Sequence, residues 1–142
     1  MKFSEKKFSA LLAFLMLAFS MPKLLGLAVS VQLFGQINAF MGFSGSWFRH
    51  LTGGLELVTA LLLACGLAMG SKTRILGPYG LYLLGLLLLA GTMSGAIVTE
   101  LIIRPGEDPT LTVLAILLFL ISLGLLRRNL LHAQKHLGAS VS

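Results

Sequence analysis

The chain has 142 residues, 56% of them apolar and only 11% charged, with 11 Lys and Arg against 5 Asp and Glu for a formal net charge of +6. So few charges cannot cover a soluble domain of this length, and with a mean hydropathy of +0.93 the composition points to a membrane protein. A pI near 10.0 would suggest nucleic acid in a soluble protein, but here the basic residues lie between apolar runs, so no nucleic-acid partner is expected.

The N-terminal stretch MKFSEKKFSALLAFLMLAFSMPK imitates a signal peptide, with a basic start and then an apolar run. It lacks an A-x-A-like site and its apolar run is long, so it reads as an uncleaved first helix. To cross a bilayer that helix needs residues 8–27, which places Lys23, just after Pro22, in its last turns. The following stretch, LAVSVQLFGQINAFMGFSGSWF, carries no charge, yet Gln32, Gln36 and Asn38 occupy its middle and Gly35, Gly42 and Gly45 interrupt it. It reads as an interfacial segment anchored by Trp47 and Phe48, with a re-entrant or spanning path as the alternative.

A second span covers 50–70 and is broken only by Glu56. A third covers 75–99, without a charge between Arg74 and Glu100, and Tyr79 and Tyr82 read as its cytoplasmic aromatic belt. The fourth, 109–126, is long enough only if Pro109 and Thr110 join its first turn. Between them, LIIRPGEDPT reads as a turn punctuated by Pro105, Gly106 and Pro109. The expected fold is therefore all-α: a polytopic membrane protein, one domain over 1–142, built as a four-helix transmembrane bundle with an interfacial segment between helices 1 and 2.

Eight basic residues (Lys2, Lys6, Lys7, Lys72, Arg74, Arg127, Arg128, Lys135) fall on one side and three (Lys23, Arg49, Arg104) on the other. The larger group marks the cytoplasmic side, which puts both termini there and the protein in a bacterial inner membrane. The single cysteine, Cys65, reads as a buried structural thiol, and no Cys/His spacing would hold a metal.

All ionisable groups embedded in the spans or lying just above them then belong to the outer half: Lys23, Arg49, His50, Glu56, Glu100 and Arg104. Arg49, Thr52, Glu56 and Thr59 form a helical stripe that should face the bundle, and Thr92, Ala96 and Thr99 form a weaker one. Lys23, His50, Thr52, Glu56 and Glu100 make up the candidate polar cluster, binding or structural, with no catalytic residue assigned. Each has a plainer reading: Lys23 as a snorkelling side chain, His50 as an interfacial donor, Glu100 as an interfacial solubilising group. The antiparallel first and second helices should bring Lys23 to Glu56, with Thr52 or His50 completing its hydrogen bonding. Gly66 with Gly70, and Gly91 with Gly95, have the small-xxx-small spacing of a helix-packing seam, which would serve a homodimer or a membrane complex.

The order of SMPKLLG, LTGGLELVTALLLACG and MSGAIVTEL along the chain resembles the DoxX-like family of small four-helix bacterial membrane proteins. The resemblance places the family's first-helix lysine at Lys23, its glycine-plus-glutamate signature at Gly53 and Glu56, and its small residues near the end of the third span at Gly95 and Ala96. Where family members often carry a histidine near the end of that helix, this chain has Glu100. The resemblance implies association with quinone-linked or assembly systems. No cysteine pair for a disulfide relay and no paired histidines for haem are present. Two classes of function follow. The first is a non-enzymatic subunit or assembly partner of an envelope complex. The second is a quinone-like small-molecule site in the outer half, in a binding protein or an oxidoreductase component, with membrane lipid as surroundings in either.

Overall fold

The computed structural model describes the backbone of residues 3–42, 45–68 and 78–138 and the side chains of 6–42, 45–68 and 79–131. The chain is all-helical, and no strand occurs among the described residues. Its elements are α1 (Phe3–Leu25), α2 (Ala28–Met41), α3 (Trp47–Ala68), α4 (Pro78–Val98), a π-helical turn (Thr99–Ile103) that continues α4, and α5 (Pro109–Gly138). Four of them contain stretches long and apolar enough to cross a membrane: Lys6–Leu25, Trp47–Ala68, Tyr79–Ile103 and Pro109–Leu131.

Several boundaries differ from the sequence reading: the first helix ends at Leu25 instead of 27, and the second spanning helix starts at Trp47 instead of 50. The third span continues through Ile103 instead of stopping at 99, and α5 continues past Arg127 and Arg128 to Gly138 instead of ending at 126. A charge ends an apolar run but not a helix, because Arg and Lys are good helix formers. Residues 75–77, with Gly70, Lys72 and Arg74, lie outside the described residues.

α1 ends at Leu25 for a local reason. Gly26 adopts φ +69° and Leu27 N donates to Pro22 O at 3.0 Å, the left-handed cap that satisfies a final carbonyl. The chain then starts α2 at Ala28. At 14 residues, α2 is about 21 Å long, too short for a hydrocarbon core of about 30 Å. It buries Ser30, Phe34 and Ile37, one face at helical spacing, and Phe34 meets Phe48 edge-on at 5.8 Å. Its other faces expose Val29, Val31 and Phe40.

In the bundle α3 packs against α1 on one side and α4 on the other, and α4 packs against α5. Leu12, Met16, Leu63, Leu86, Leu89 and Leu118 form a fully buried core between them. α3 and α4 approach closely at one end. A Cβ on Gly66 would lie 2.6 Å from Tyr82 Cβ, and one on Gly85 would lie 3.1 Å from Leu63. Gly66 is thus spent inside the monomer and cannot serve a lipid-facing dimer seam. The tyrosines are likewise internal rather than a belt: Tyr82 is 1% exposed with its hydroxyl 2.6 Å from Ser9 Oγ, and the Tyr79 hydroxyl donates to Asn129 O at 2.5 Å.

Cys65 is exposed, not buried. On α3 the buried line runs through Gly53, Glu56, Thr59, Ala60, Leu63 and Gly66, and Cys65 lies off it. An apolar neighbourhood in a membrane segment means lipid as readily as protein, so composition alone misplaced this thiol.

Candidate polar site and cavity

The site forms at the end of the bundle where α1 finishes, α3 begins and α4 passes into the π turn. Gly53 sets the approach of α1 to α3. A Cβ there would fall 2.9 Å from Lys23 Cβ and 3.2 Å from Leu24 Cγ, so only glycine admits this contact without a shift. Three residues further along α3, on the same face, Glu56 receives the Lys23 ammonium on both carboxylate oxygens at 2.6 Å. Lys23 Nζ also donates to Phe19 O at 3.3 Å and lies 5.9 Å from the Phe19 ring centroid. The pair is enclosed: the Lys23 side chain is 18% exposed and that of Glu56 6%. Lys23 therefore turns into the bundle and does not snorkel.

Neither expected helper of Glu56 reaches it. Thr52 Oγ1 donates to Phe48 O at 2.9 Å, the preceding turn of its own helix. His50 is exposed, and its Nε2 accepts from Arg49 Nη2 at 3.2 Å. Arg49, which the sequence stripe contained but gave no role, is 8% exposed, and its Nη1 donates to Lys23 O. A guanidinium on the last carbonyls of α1 satisfies an orphan acceptor and opposes the helix dipole. The same residue sits where a side chain on Gly26 would have to go, 3.2 Å from a Cβ there. Arg49 thus fixes the α1 terminus that presents Lys23.

The second charged group centres on Arg104. Its Nη1 donates to Glu100 Oε1 at 3.0 Å, its Nη2 to Glu107 at 2.9 Å, and its Nε to Gln36 Oε1 at 2.7 Å and Glu107 Oε2 at 3.1 Å. Glu100 is 6% exposed, so it is not an interfacial solubilising group. It lies in the π turn, closed by Arg104 N donating to Thr99 O at 3.1 Å. The signal for this turn was Pro105, which disfavours α geometry at Arg104, and π turns occur often at functional sites. Through Gln36, Arg104 also ties α2 to the end of α4.

Between these groups lies a cavity of about 510 Å³. Leu33, Phe34 and Ile37 of α2 form part of its wall, with Leu55, Leu88, Leu114 and Leu118 among the apolar residues of the long helices. Its polar boundary is Lys23, Glu56, Thr52, Thr92, Thr99 and Glu100. Gly91 and Gly95 face it as well, with nothing within 4 Å of a Cβ at either position. These glycines make room and do not form a helix contact. Of the candidate cluster, the cavity thus gathers Lys23, Thr52, Glu56 and Glu100 and leaves out His50. The cavity is half open, with the exposed Leu51, Leu55 and Leu87 in its lining, and a mainly apolar concavity with a few convergent polar groups is the usual form of a small-molecule site. No group of three His, Cys, Asp or Glu able to hold a metal occurs among the described residues.

The fold and the site define a class, an all-helical protein with four membrane-length helices around a mainly apolar cavity bounded by two ion pairs. No family model, no curated protein and no solved structure matches the chain.

Proposed function

We propose that the protein is a multi-pass protein of the bacterial inner membrane that holds an amphiphilic small molecule of quinone-like size within the outer half of its bundle. The observation that carries this reading is the cavity itself. About 510 Å³ is the volume of a small-ligand site, and its walls are apolar except where Lys23, Glu56 and Glu100 border it. Intramembrane charges that border a cavity mark function more often than architecture, because each costs desolvation energy that an apolar residue would not. The resemblance to DoxX-like proteins belongs to this reading, since Lys23, Gly53 and Glu56, which carry it, meet at one contact beside the cavity. Cytoplasmic termini follow from the eight-to-three division of basic residues and put the cavity on the outer side. The short connections and the lack of cofactor ligands also suit a non-enzymatic subunit of an envelope complex, but no surface among the described residues favours that reading over ligand binding.

The test uses the single tryptophan, Trp47, whose ring is 5.6 Å from the cavity-lining Phe48. Titrating the protein in nanodiscs with a decyl-substituted benzoquinone and with its reduced form should give a saturable fluorescence change for at least one of them. A response that only rises linearly, as free partition into lipid does, would remove the ligand-binding reading.

A further inference from the structure

The cavity reaches the surface along two helices only. Its exposed lining residues are Leu51 (49%) and Leu55 (41%) on α3, and Leu87 (57%), Gly91 and Gly95 on α4. Each set recurs every four residues, so each marks a rim along one face of its helix. Among the described residues, no lining residue of α1, α2 or α5 is exposed. The two helices part here for a local reason. They touch where Gly66 meets Tyr82 and Gly85 meets Leu63. Gly91 and Gly95 lie about 9 and 15 Å further along α4, and nothing is within 4 Å of a Cβ at either. The opening is therefore a slit between α3 and α4.

The slit lies at membrane depth. Leu51 and Leu55 are about 6 and 12 Å along the span that begins at Trp47, and Gly95 and Gly91 about 12 and 18 Å from the end of theirs at Ile103. At that end of the bundle α2 covers the cavity, with Phe34 and Ile37 buried in its wall and Gln36 Oε1 accepting from Arg104 Nε at 2.7 Å. None of the rim residues is polar, whereas Lys23, Glu56 and Thr92 line the cavity behind them. A bare hydrocarbon chain inside would leave that ion pair against oil, which is costly. An occupant with an apolar body and a polar headgroup suits both the rim and the interior.

We infer that the cavity is filled and emptied sideways, through the slit between α3 and α4, by an amphiphile already dissolved in the bilayer. This inference rests on the cavity being a ligand site and adds the route by which the site is reached. A solute arriving from water at the α2 end would have to displace Phe34 and Ile37 and part Gln36 from Arg104. One arriving from the membrane has only the side chains of Leu51, Leu55 and Leu87 to move aside, because the glycines leave the rest of the α4 rim bare.

The experiment attaches an obstacle to the rim of the folded protein. In a Cys65→Ala background, which removes the exposed native thiol, Leu87→Cys and Leu51→Cys are made separately and reacted with N-benzylmaleimide in nanodiscs. Stopped-flow Trp47 fluorescence then follows binding of a fully substituted decyl benzoquinone, which does not add thiols, before and after the reaction. Val113→Cys, at an exposed position of α5 outside the lining, is the control. An obstacle on a path slows passage in both directions without altering its two ends. Either rim adduct should therefore lower the association and dissociation rates alike, each about fivefold or more, and hold Kd within about twofold. The adduct at position 113 should change neither rate. Unchanged rates at both rim positions would overturn the inference, as would equal slowing by the control. A weaker Kd carried by faster dissociation alone would also overturn it, since the rim would then be a contact and not a passage. A mass in mild detergent that halves on adding the adduct would show a second copy of the chain covering the slit, which again overturns it. If the unaltered protein gives no saturable signal with this probe, the ligand-site reading itself falls, and the route with it.

Discussion

Replacing Lys23 with methionine removes both hydrogen bonds that the Glu56 carboxylate accepts, since each of its oxygens is served by the one ammonium at 2.6 Å. Glu56 is 5% exposed, so the carboxylate cannot turn to bulk water instead. Breaking a fully buried pair costs about 3–5 kcal/mol. The Lys23 side chain, at 18% exposure, borders a cavity that water can enter, which places Lys23→Met near the lower end, about 3 kcal/mol. Glu56→Gln is milder, about 1–3 kcal/mol, because the amide oxygen still accepts one bond and Phe19 O keeps another. The double variant leaves no buried charge behind, and replacing both members of such a pair is often close to neutral. The two single losses, about 4–6 kcal/mol taken together, should therefore exceed the double loss by at least about 2 kcal/mol. The assay is reversible unfolding in mild detergent followed by circular dichroism, as a complete double-mutant cycle. Losses that add to within about 0.5 kcal/mol would refute the coupling and the account of the site built on it.

Gly53→Ala should cost about 1–3 kcal/mol in the same assay, because its methyl would meet Lys23 Cβ at 2.9 Å, and a smaller coupling measured in the Gly53→Ala background would trace that cost to the ion pair. Gly66→Ala should be at least as damaging, since the obstruction 2.9 Å away is Tyr82 backbone, whereas Gly95→Leu should leave the melting temperature nearly unchanged and abolish ligand binding by filling the cavity. A mass shift for Gly95→Leu in detergent, with binding intact, would return this glycine to a subunit seam. For topology, a periplasm-dependent reporter should be active when inserted at Glu107 and silent when fused after Ser142; activity at the latter would reverse the assigned orientation.

The four spans were legible because the bilayer demands long apolar runs, and the chain supplies them between Lys7, Glu100 and Asp108 with few interruptions. The Lys23–Glu56 contact was legible too, through depth. Two charges placed at similar heights on antiparallel helices have few alternatives to each other. The side of each helix that faces protein was much less so. In a soluble helix the apolar stripe marks the core, but Leu63, fully buried, and Leu61, 54% exposed, are the same residue type two positions apart in α3. Lipid accepts both, so Cys65, Tyr79 and Tyr82 could not be placed from composition.

Glycines were legible as close approaches or open space only after the fold was known. Gly66 and Gly95 both belong to small-xxx-small pairs, yet one touches Tyr82 and the other faces the cavity. The spacing permits a neighbour without requiring one. The role of Arg49 was hidden for a different reason. It acts on a backbone carbonyl at the end of α1, and carbonyls have no letter in the sequence. Glu100 combines both difficulties. It lies at the end of an apolar run, where a carboxylate ordinarily reaches water, and Pro105 beyond it hints at irregular backbone without saying which way the carboxylate turns. The π turn places the carboxylate in the cavity lining, and Arg104, already bound to Gln36 and Glu107, reaches only one of its oxygens. The two ion pairs beside the cavity therefore differ in chemistry. Lys23 and Glu56 saturate each other and hold α1 against α3, while Glu100 shares one oxygen with Arg104 and keeps the other buried without a partner.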